Sequence, residues 1–127
     1  MIESGAERPL AHRQATAFAA LGDPFRLSVV RSLCESGPLS TSSIQGSRRG
    51  ISRQGLSKHL RVLEHAGLID SFRSGRDRLW QVRPEQLLTM RSFLDDVAAE
   101  WDARIGRLRL LVEADTPESD QRGTVVG

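Results

Sequence analysis

The chain has 127 residues, of which 39% are hydrophobic and 27% are charged, and its formal net charge is +2. This length accommodates one domain with a modest core, and dimerisation would bury further apolar surface. The single cysteine, Cys34, excludes an internal disulfide. Because no apolar run approaches the length of a membrane span and no charged-then-apolar leader opens the chain, we expect a cytoplasmic protein with no membrane partner.

The first predicted helix follows a polar start. Residues 1–8 lack periodicity and are expected to form a flexible N-terminus. From Pro9 to Leu21, apolar residues that include Leu10 and Phe18 recur at the helical period. Many of the residues between them are alanines, which permit close approach of another helix, so this helix suits either the core or a dimer contact.

A second helix is predicted to begin at Asp23-Pro24, an N-cap followed by proline at the first helical position. Arg26 and Arg31 lie on its polar face, where phosphate contact and simple solvation are both open. Cys34 is interpreted as a small core residue rather than a sensor. The buried stripe of this helix is predicted to contain Leu27, Val29, Val30 and Leu33.

A short third helix is predicted from Thr41 or Ser42 to about Ser47, because Ser40-Thr41-Ser42-Ser43 is a run of cap-forming residues. Ile44 is its main apolar anchor. Arg48 and Arg49 fall in the following turn, where they could add phosphate contacts.

The most informative stretch is 51–66, which predicts an amphipathic helix. Leu56, Leu60 and Leu63 form its apolar stripe, Ser52 stands at the N-cap, and Gly67 follows the last turn. A face with donors and positive charge but no acid suits the major groove of DNA, although many basic helices are plain surface helices. The residues of that opposite face are Arg53, Gln54, Ser57, Lys58 and Arg61.

A basic β-hairpin is predicted over 68–82, with a turn at Ser74-Gly75. Its tip carries Arg73, Arg76 and Arg78. A helix followed by such a hairpin is the arrangement of a winged helix-turn-helix protein, in which the wing flanks the groove that the helix enters.

A long helix is predicted over about 85–113, and 114–127 is expected to be a disordered tail. One small domain cannot cover the whole apolar stripe of such a helix, so a partner helix from a second subunit is expected. The stripe comprises Leu87, Met90, Leu94, Val97, Trp101, Ile105, Leu108 and Val112.

Charge is unevenly distributed along the chain. Residues 46–83 contain nine cationic and three acidic residues, a net charge of +6, whereas residues 84–127 contain five arginines and nine acids, a net charge of −4. The cationic half coincides with the predicted helix and wing, as contact with phosphates requires.

Three motifs resemble one known family, the ArsR-type (ArsR/SmtB) bacterial repressors. The stretch 57–69 (SKHLRVLEHAGLI) is similar to the family's recognition helix, 21–26 (LGDPFR) to the start of its second helix, and 75–80 (GRDRLW) to its wing. The resemblance covers about residues 10–112. It implies a mostly α winged helix-turn-helix with a small β-hairpin, over 9–113, that forms a homodimer and represses transcription from a palindromic operator. The third helix departs from the family pattern because it is polar and apparently one residue longer.

The expected partner is double-stranded DNA. Arg53 and Gln54 lie in the first turn, which usually reaches base edges, while His59 is equally interpretable as a packing residue. The candidate DNA-binding residues are Arg48, Arg49, Ser52, Arg53, Gln54, Ser57, Lys58, His59, Arg61, Arg73, Arg76 and Arg78. The candidate dimerisation residues are Leu10, Phe18, Leu94, Val97, Trp101, Ile105 and Leu108.

No metal site or other cofactor is predicted. The third-helix segment 40–44 has no cysteine and the last helix has no histidine, so the resemblance points to a branch of the family without the metal-sensing ligands. Whether an effector regulates the protein is left open. No phosphate loop or nucleophile elbow indicates an enzyme. The alternative function is a dimeric winged-helix adaptor that binds protein, which would not need the +6 charge of residues 46–83.

Overall fold

The computed structural model describes the backbone of residues 2–115 and the side chains of residues 12–114. It divides into two compact units, residues 1–90 and 91–127. The helices are α1 (Ile2–Leu21), α2 (Pro24–Ser36), α3 (Thr41–Gly46), α4 (Arg53–His65) and α5 (Pro84–Asp115). The strands are β1 (Leu39–Ser40), β2 (Ile69–Ser74) and β3 (Asp77–Val82).

The first two helices have the predicted junction but not the predicted start. Helix α1 begins at Ile2 rather than Pro9, so the segment expected to be flexible is assigned to helix, and its flexibility stays a prediction. Helix α2 begins as predicted, because the Asp23 carboxylate accepts a hydrogen bond of 3.0 Å from the backbone N–H of Arg26.

The next two helices each begin at a serine cap. At the start of α3, Ser40 Oγ accepts a hydrogen bond from the backbone N–H of Ser43. At the start of α4, Ser52 Oγ accepts one from the backbone N–H of Gly55, and both bonds are 3.0 Å long. Helix α4 is followed by Gly67, whose φ of +78° is a backbone conformation that favours glycine. The two predicted helices are therefore confirmed to within one or two residues.

The predicted hairpin is confirmed, and the sheet has one more strand than predicted. Strands β2 and β3 pair antiparallel around a turn in which Gly75 has a φ of +65°. Strand β1 pairs antiparallel with β3, with Leu39 opposite Trp80, which gives the strand order β1-β3-β2. A strand of two residues is too short to show an alternating pattern in sequence.

The core of the first unit lies between the inner faces of these helices and the sheet. Leu27 and Cys34 were predicted to be buried, but Leu27 is 51% exposed and Cys34 is also exposed, because the buried face of α2 is centred on Val29, Val30 and Leu33. The largest fully buried side chains are Val29, Ile44, Leu56, Leu60, Leu63, Leu68 and Ile69.

The second unit, as far as it is described, is the continuation of α5 from residue 91 to Asp115. The long predicted helix is confirmed, and it extends through Ala114 and Asp115, which were predicted to belong to the tail. The rest of the predicted tail, 116–127, lies outside the described residues. Among the helices that are described, none has the length and apolar character needed to cross a membrane.

Candidate nucleic-acid interface

Helix α4 has a buried leucine stripe on one side and cations on the other, with the apolar Val62 exposed outside the stripe. Leu56, Leu60 and Leu63 are between 0% and 2% exposed and anchor the helix in the core. The opposite side forms a shallow depression, which we call the reading face. It contains three cations and no acid, and its residues are Ser52, Arg53, Gln54, Gly55, Ser57, Lys58 and Arg61.

The wing extends the positive surface. Its three arginines are exposed, and the register places Arg73 directly opposite Arg78 on the neighbouring strand. Like charges at such positions destabilise a hairpin, so their presence suits an anionic partner that neutralises both. Arg78 donates a hydrogen bond of 2.6 Å from Nη1 to Ser71 Oγ.

A groove of about 250 Å³ lies between α4 and the wing. Arg61 lines it from the helix and Arg78 from β3, with the hydroxyls of Ser57 and Ser71 beside them. The wing is fixed on this side, since the buried Trp80 donates from Nε1 to Thr41 Oγ1 over 2.9 Å. A phosphate oxygen placed in this groove would meet cations and hydroxyl donors from both elements, and the Glu64 carboxylate lines the same groove.

The two arginines of the turn before α4 have different surroundings. Arg48 donates from Nη2 to the Ser28 carbonyl at 3.0 Å and to Ser32 Oγ at 2.9 Å, and from Nη1 to Ser47 Oγ at 2.7 Å. Its hydrogen-bonding capacity is thus largely used within the protein. Arg49 is exposed, and no hydrogen bond or ion pair of its side chain occurs within residues 12–114.

His59 is half-buried on the side of α4 that meets the start of α2. Its ring stacks on Phe25 with centroids 4.6 Å apart, and its Nδ1 lies 3.3 Å from Arg26 Nη1. Because a guanidinium can only donate, the hydrogen bond between them has Nδ1 as its acceptor. Arg26 is itself held by a 2.7 Å bond from Nε to the Ala20 carbonyl.

The charge of this cluster is balanced by Asp23. The hydrogen bond from the backbone N–H of Arg26 lowers the pKa of the Asp23 carboxyl below its ordinary value, desolvation opposes this, and the charge of Arg26 adds to the lowering. The carboxylate therefore keeps the negative charge that the cap of α2 requires.

The internal contacts of Arg26 and Arg48 were not predicted, whereas a packing role for His59 was one of the two interpretations left open. Sequence patterns place all three on polar helix faces or in a turn, where a phosphate contact looks the same as a contact with a neighbouring helix. The spacing between Arg26 and His59 is 33 residues, so no local period connects them. Within the described residues, no group of three or more His, Cys, Asp or Glu side chains could hold a metal ion.

The fold and this surface define a winged helix-turn-helix DNA-binding protein. A family model described as a helix-turn-helix domain matches residues 21–71. The chain is similar to the structure of an ArsR-like transcriptional regulator from Rhodococcus sp. RHA1, with 30% identity and a TM-score of 0.68, over 81% of this chain and 95% of that one. The chain belongs to the ArsR-type family of transcriptional regulators.

Two further structures are similar. An ArsR family transcriptional regulator is 25% identical with a TM-score of 0.66, over 72% of this chain and 93% of that one. A homodimeric winged helix-turn-helix domain from Mycobacterium bovis is 22% identical with a TM-score of 0.59, over 74% of this chain and 85% of that one, and it supports the fold alone. No curated protein matches the chain.

Proposed function

We propose that the protein is a homodimeric repressor that binds a palindromic operator through α4 and the wing, and that it acts on DNA in the cytoplasm. The observation that carries the proposal is the reading face, where an acid-free set of donors and cations lies opposite a fully buried leucine stripe. Bound across a promoter, such a dimer represses transcription by excluding the polymerase.

Base recognition is assigned to the first turns of α4. Arg53 and Gln54 are exposed there, and their side chains suit hydrogen bonding to guanine and adenine edges respectively. Ser57 and Lys58 lie one turn further on and can reach bases or phosphates. Ser52 already caps the helix with its hydroxyl oxygen, and its hydroxyl proton remains available to a phosphate.

Contacts with the phosphate backbone of DNA are assigned to the exposed arginines around the reading face. These contacts make binding depend on salt concentration. Arg48 and His59 are kept in the interface but assigned a positioning role, because their donors and acceptors are engaged with α2. The backbone contacts are Arg49, Arg61, Arg73, Arg76 and Arg78.

The homodimer is proposed on the apolar side chains of α5. Trp101 is 61% exposed, Leu94 53% and Leu108 52%, and exposed apolar residues repeated at the helical period favour a second subunit as their cover. The M. bovis domain of the same fold is homodimeric, and we propose the same assembly for this chain. Phe18 packs partly against its own core, and the side chain of Leu10 lies outside the described residues.

Selection of bound fragments from a random DNA pool tests the proposal. We expect an imperfect inverted repeat whose half-site centres are about one helical turn, roughly 10 base pairs, apart. Enrichment of no sequence, together with weak binding to random duplex that does not change with salt, would instead support the protein-binding adaptor.

A further inference from the structure

A polar cleft of about 360 Å³ lies in the first unit, between α1, the C-terminal end of α4 and the start of α5. It shares no residue with the reading face. This volume lies within the range of small-molecule sites. The cleft is lined by His12, Arg13, Thr16, His65, Ala66, Gly67, Arg83, Glu85 and Gln86.

Three basic side chains in this cleft have no polar partner among the residues whose side chains the structure describes. His12, Arg13 and His65 are exposed, and within residues 12–114 their side chains form no hydrogen bond or ion pair. A guanidinium and two imidazoles offer between them at least seven N–H donors, since Arg has five and each neutral imidazole has one. Protonation of either imidazole adds a donor and a positive charge.

The other charged groups at the cleft, Arg83, Glu85 and the adjacent Asp70, have a combined charge of −1. Arg83 Nε lies 3.8 Å from Asp70 Oδ2 and 3.9 Å from Glu85 Oε1, so the Arg83 charge is shared between two carboxylates. Arg13 is therefore the cation of the cleft whose side chain forms no ion pair within residues 12–114, and the two imidazoles add N–H donors to the same lining.

The backbone at the end of α4 keeps the cleft open, and two of its carbonyls are already hydrogen-bonded. A Cβ built on Gly67 would meet nothing within 4 Å. At the end of α4, the Leu63 carbonyl accepts from the N–H of Leu68 and the Glu64 carbonyl from the N–H of Gly67, both at 3.0 Å. Because these carbonyls are occupied, the negative end of α4 is partly neutralised. Gln86 Nε2 donates to the Arg13 carbonyl at 3.4 Å and connects α1 to α5.

We propose that this cleft is a binding site for a small anion with two negative charges, such as a phosphate or a dicarboxylate, held by His12, Arg13 and His65. A metal is the weaker occupant, because the described histidines and acids form no group of three with suitable spacing. The site rests on the geometry of the cleft and is independent of the proposed DNA-binding function. An occupant would contact the last residues of α4, the helix that carries the reading face.

The chain contains only three histidines, His12, His59 and His65, which makes imidazole NMR a direct test. The full-length protein is titrated with inorganic phosphate and, separately, with succinate in a non-phosphate buffer at constant pH and ionic strength. We expect the resonances of His12 and His65 to move saturably with at least one anion, with half-saturation below about 5 mM, a small fraction of the ~0.15 M salt. His59, outside the cleft, stays in place.

Arg13→Gln is expected to weaken the binding at least fivefold, whereas the matched variant Arg107→Gln, which removes an exposed arginine from α5, leaves it unchanged. Arg13 is exposed and only its carbonyl is bonded, so its variant should retain the far-ultraviolet circular dichroism of the parent. A stronger response to phosphate or to succinate identifies which anion class the cleft takes. The proposal is overturned by the absence of saturation with both anions, by equal movement of His59, or by unchanged binding in Arg13→Gln.

Discussion

Two helices of this protein carry the same kind of leucine-rich stripe but differ in what covers it. In α4 the stripe is between 0% and 2% exposed, covered by the chain's own core, whereas the α5 residues Leu94 and Trp101 are 53% and 61% exposed. The periodicity predicts a helix in both cases, and only the structure shows which apolar side chains are buried. The stripe of α4 supports the fold and presents the reading face. That of α5 packs on the core through Leu87 and Met90 and is exposed from Leu94 onward, where we propose that a second subunit binds.

The largest expected effect is on the free energy of unfolding. Leu60→Ala removes a side chain that is 2% exposed and should destabilise the protein by about 2–5 kcal/mol in urea denaturation followed by circular dichroism. Leu94→Ala, the matched variant in α5, should instead lower the midpoint only at protein concentrations where the parent is a dimer. If Leu94→Ala at high dilution cost as much as Leu60→Ala, the distinction between the two stripes would be lost.

The next effect is on the dimer. Trp101→Ala should raise the dimer dissociation constant by about 30-fold or more, the change for roughly 2 kcal/mol at an interface hot spot. Sedimentation equilibrium measures it. Asp96→Asn, a change about half a helical turn away from the stripe, is the control and should leave the constant within a few-fold. A wild-type protein that stays monomeric at tens of micromolar would contradict the proposed interface.

A smaller effect should separate base readout from backbone contact. Arg53→Ala should weaken binding to the selected operator by about 1–3 kcal/mol and blur its specificity. Arg76→Ala should weaken operator and random duplex alike and flatten the slope of log K against log salt by about 1 per subunit. Fluorescence anisotropy on both duplexes measures this, with Arg107→Ala in α5 as control. Equal losses on both duplexes for Arg53→Ala and Arg76→Ala would remove the division.

The smallest effect compares the neighbours Arg48 and Arg49. Arg48→Gln should lower the free energy of unfolding by about 1–2 kcal/mol, because it removes charge-assisted hydrogen bonds to α2, and should change the salt slope little. Arg49→Gln should leave the free energy of unfolding unchanged and should flatten the salt slope. Urea denaturation and anisotropy on the same two variants decide between the roles, and a salt slope lowered equally by both would assign Arg48 to phosphate as well.

Much of this architecture is predictable from the sequence because its signals are local. Asp23-Pro24, Ser40 and Ser52 cap helices through residues three positions away, and the Gly75 turn defines the hairpin. The reading face follows from the period of α4. The predictions that fail concern contacts between distant segments. Strand β1 exists because Leu39 pairs with Trp80, and Leu27 is exposed because α2 packs on the core through other residues.

The same limit applies to the site. Cationic side chains in a polar segment look alike in sequence, whether they face DNA or a neighbouring helix. Arg48 and Arg26 are distinguished from Arg49 only by the serines, carbonyl and imidazole that the fold brings to them.

The most direct test of the account is the affinity of the purified protein for its selected operator and for a scrambled duplex across a salt series. Contacts from two reading faces and two wings predict tighter binding to the operator and a slope of log K against log salt of about −4 or steeper. Equal affinity for both duplexes with a slope near zero, or no binding in dilute buffer, would contradict the account.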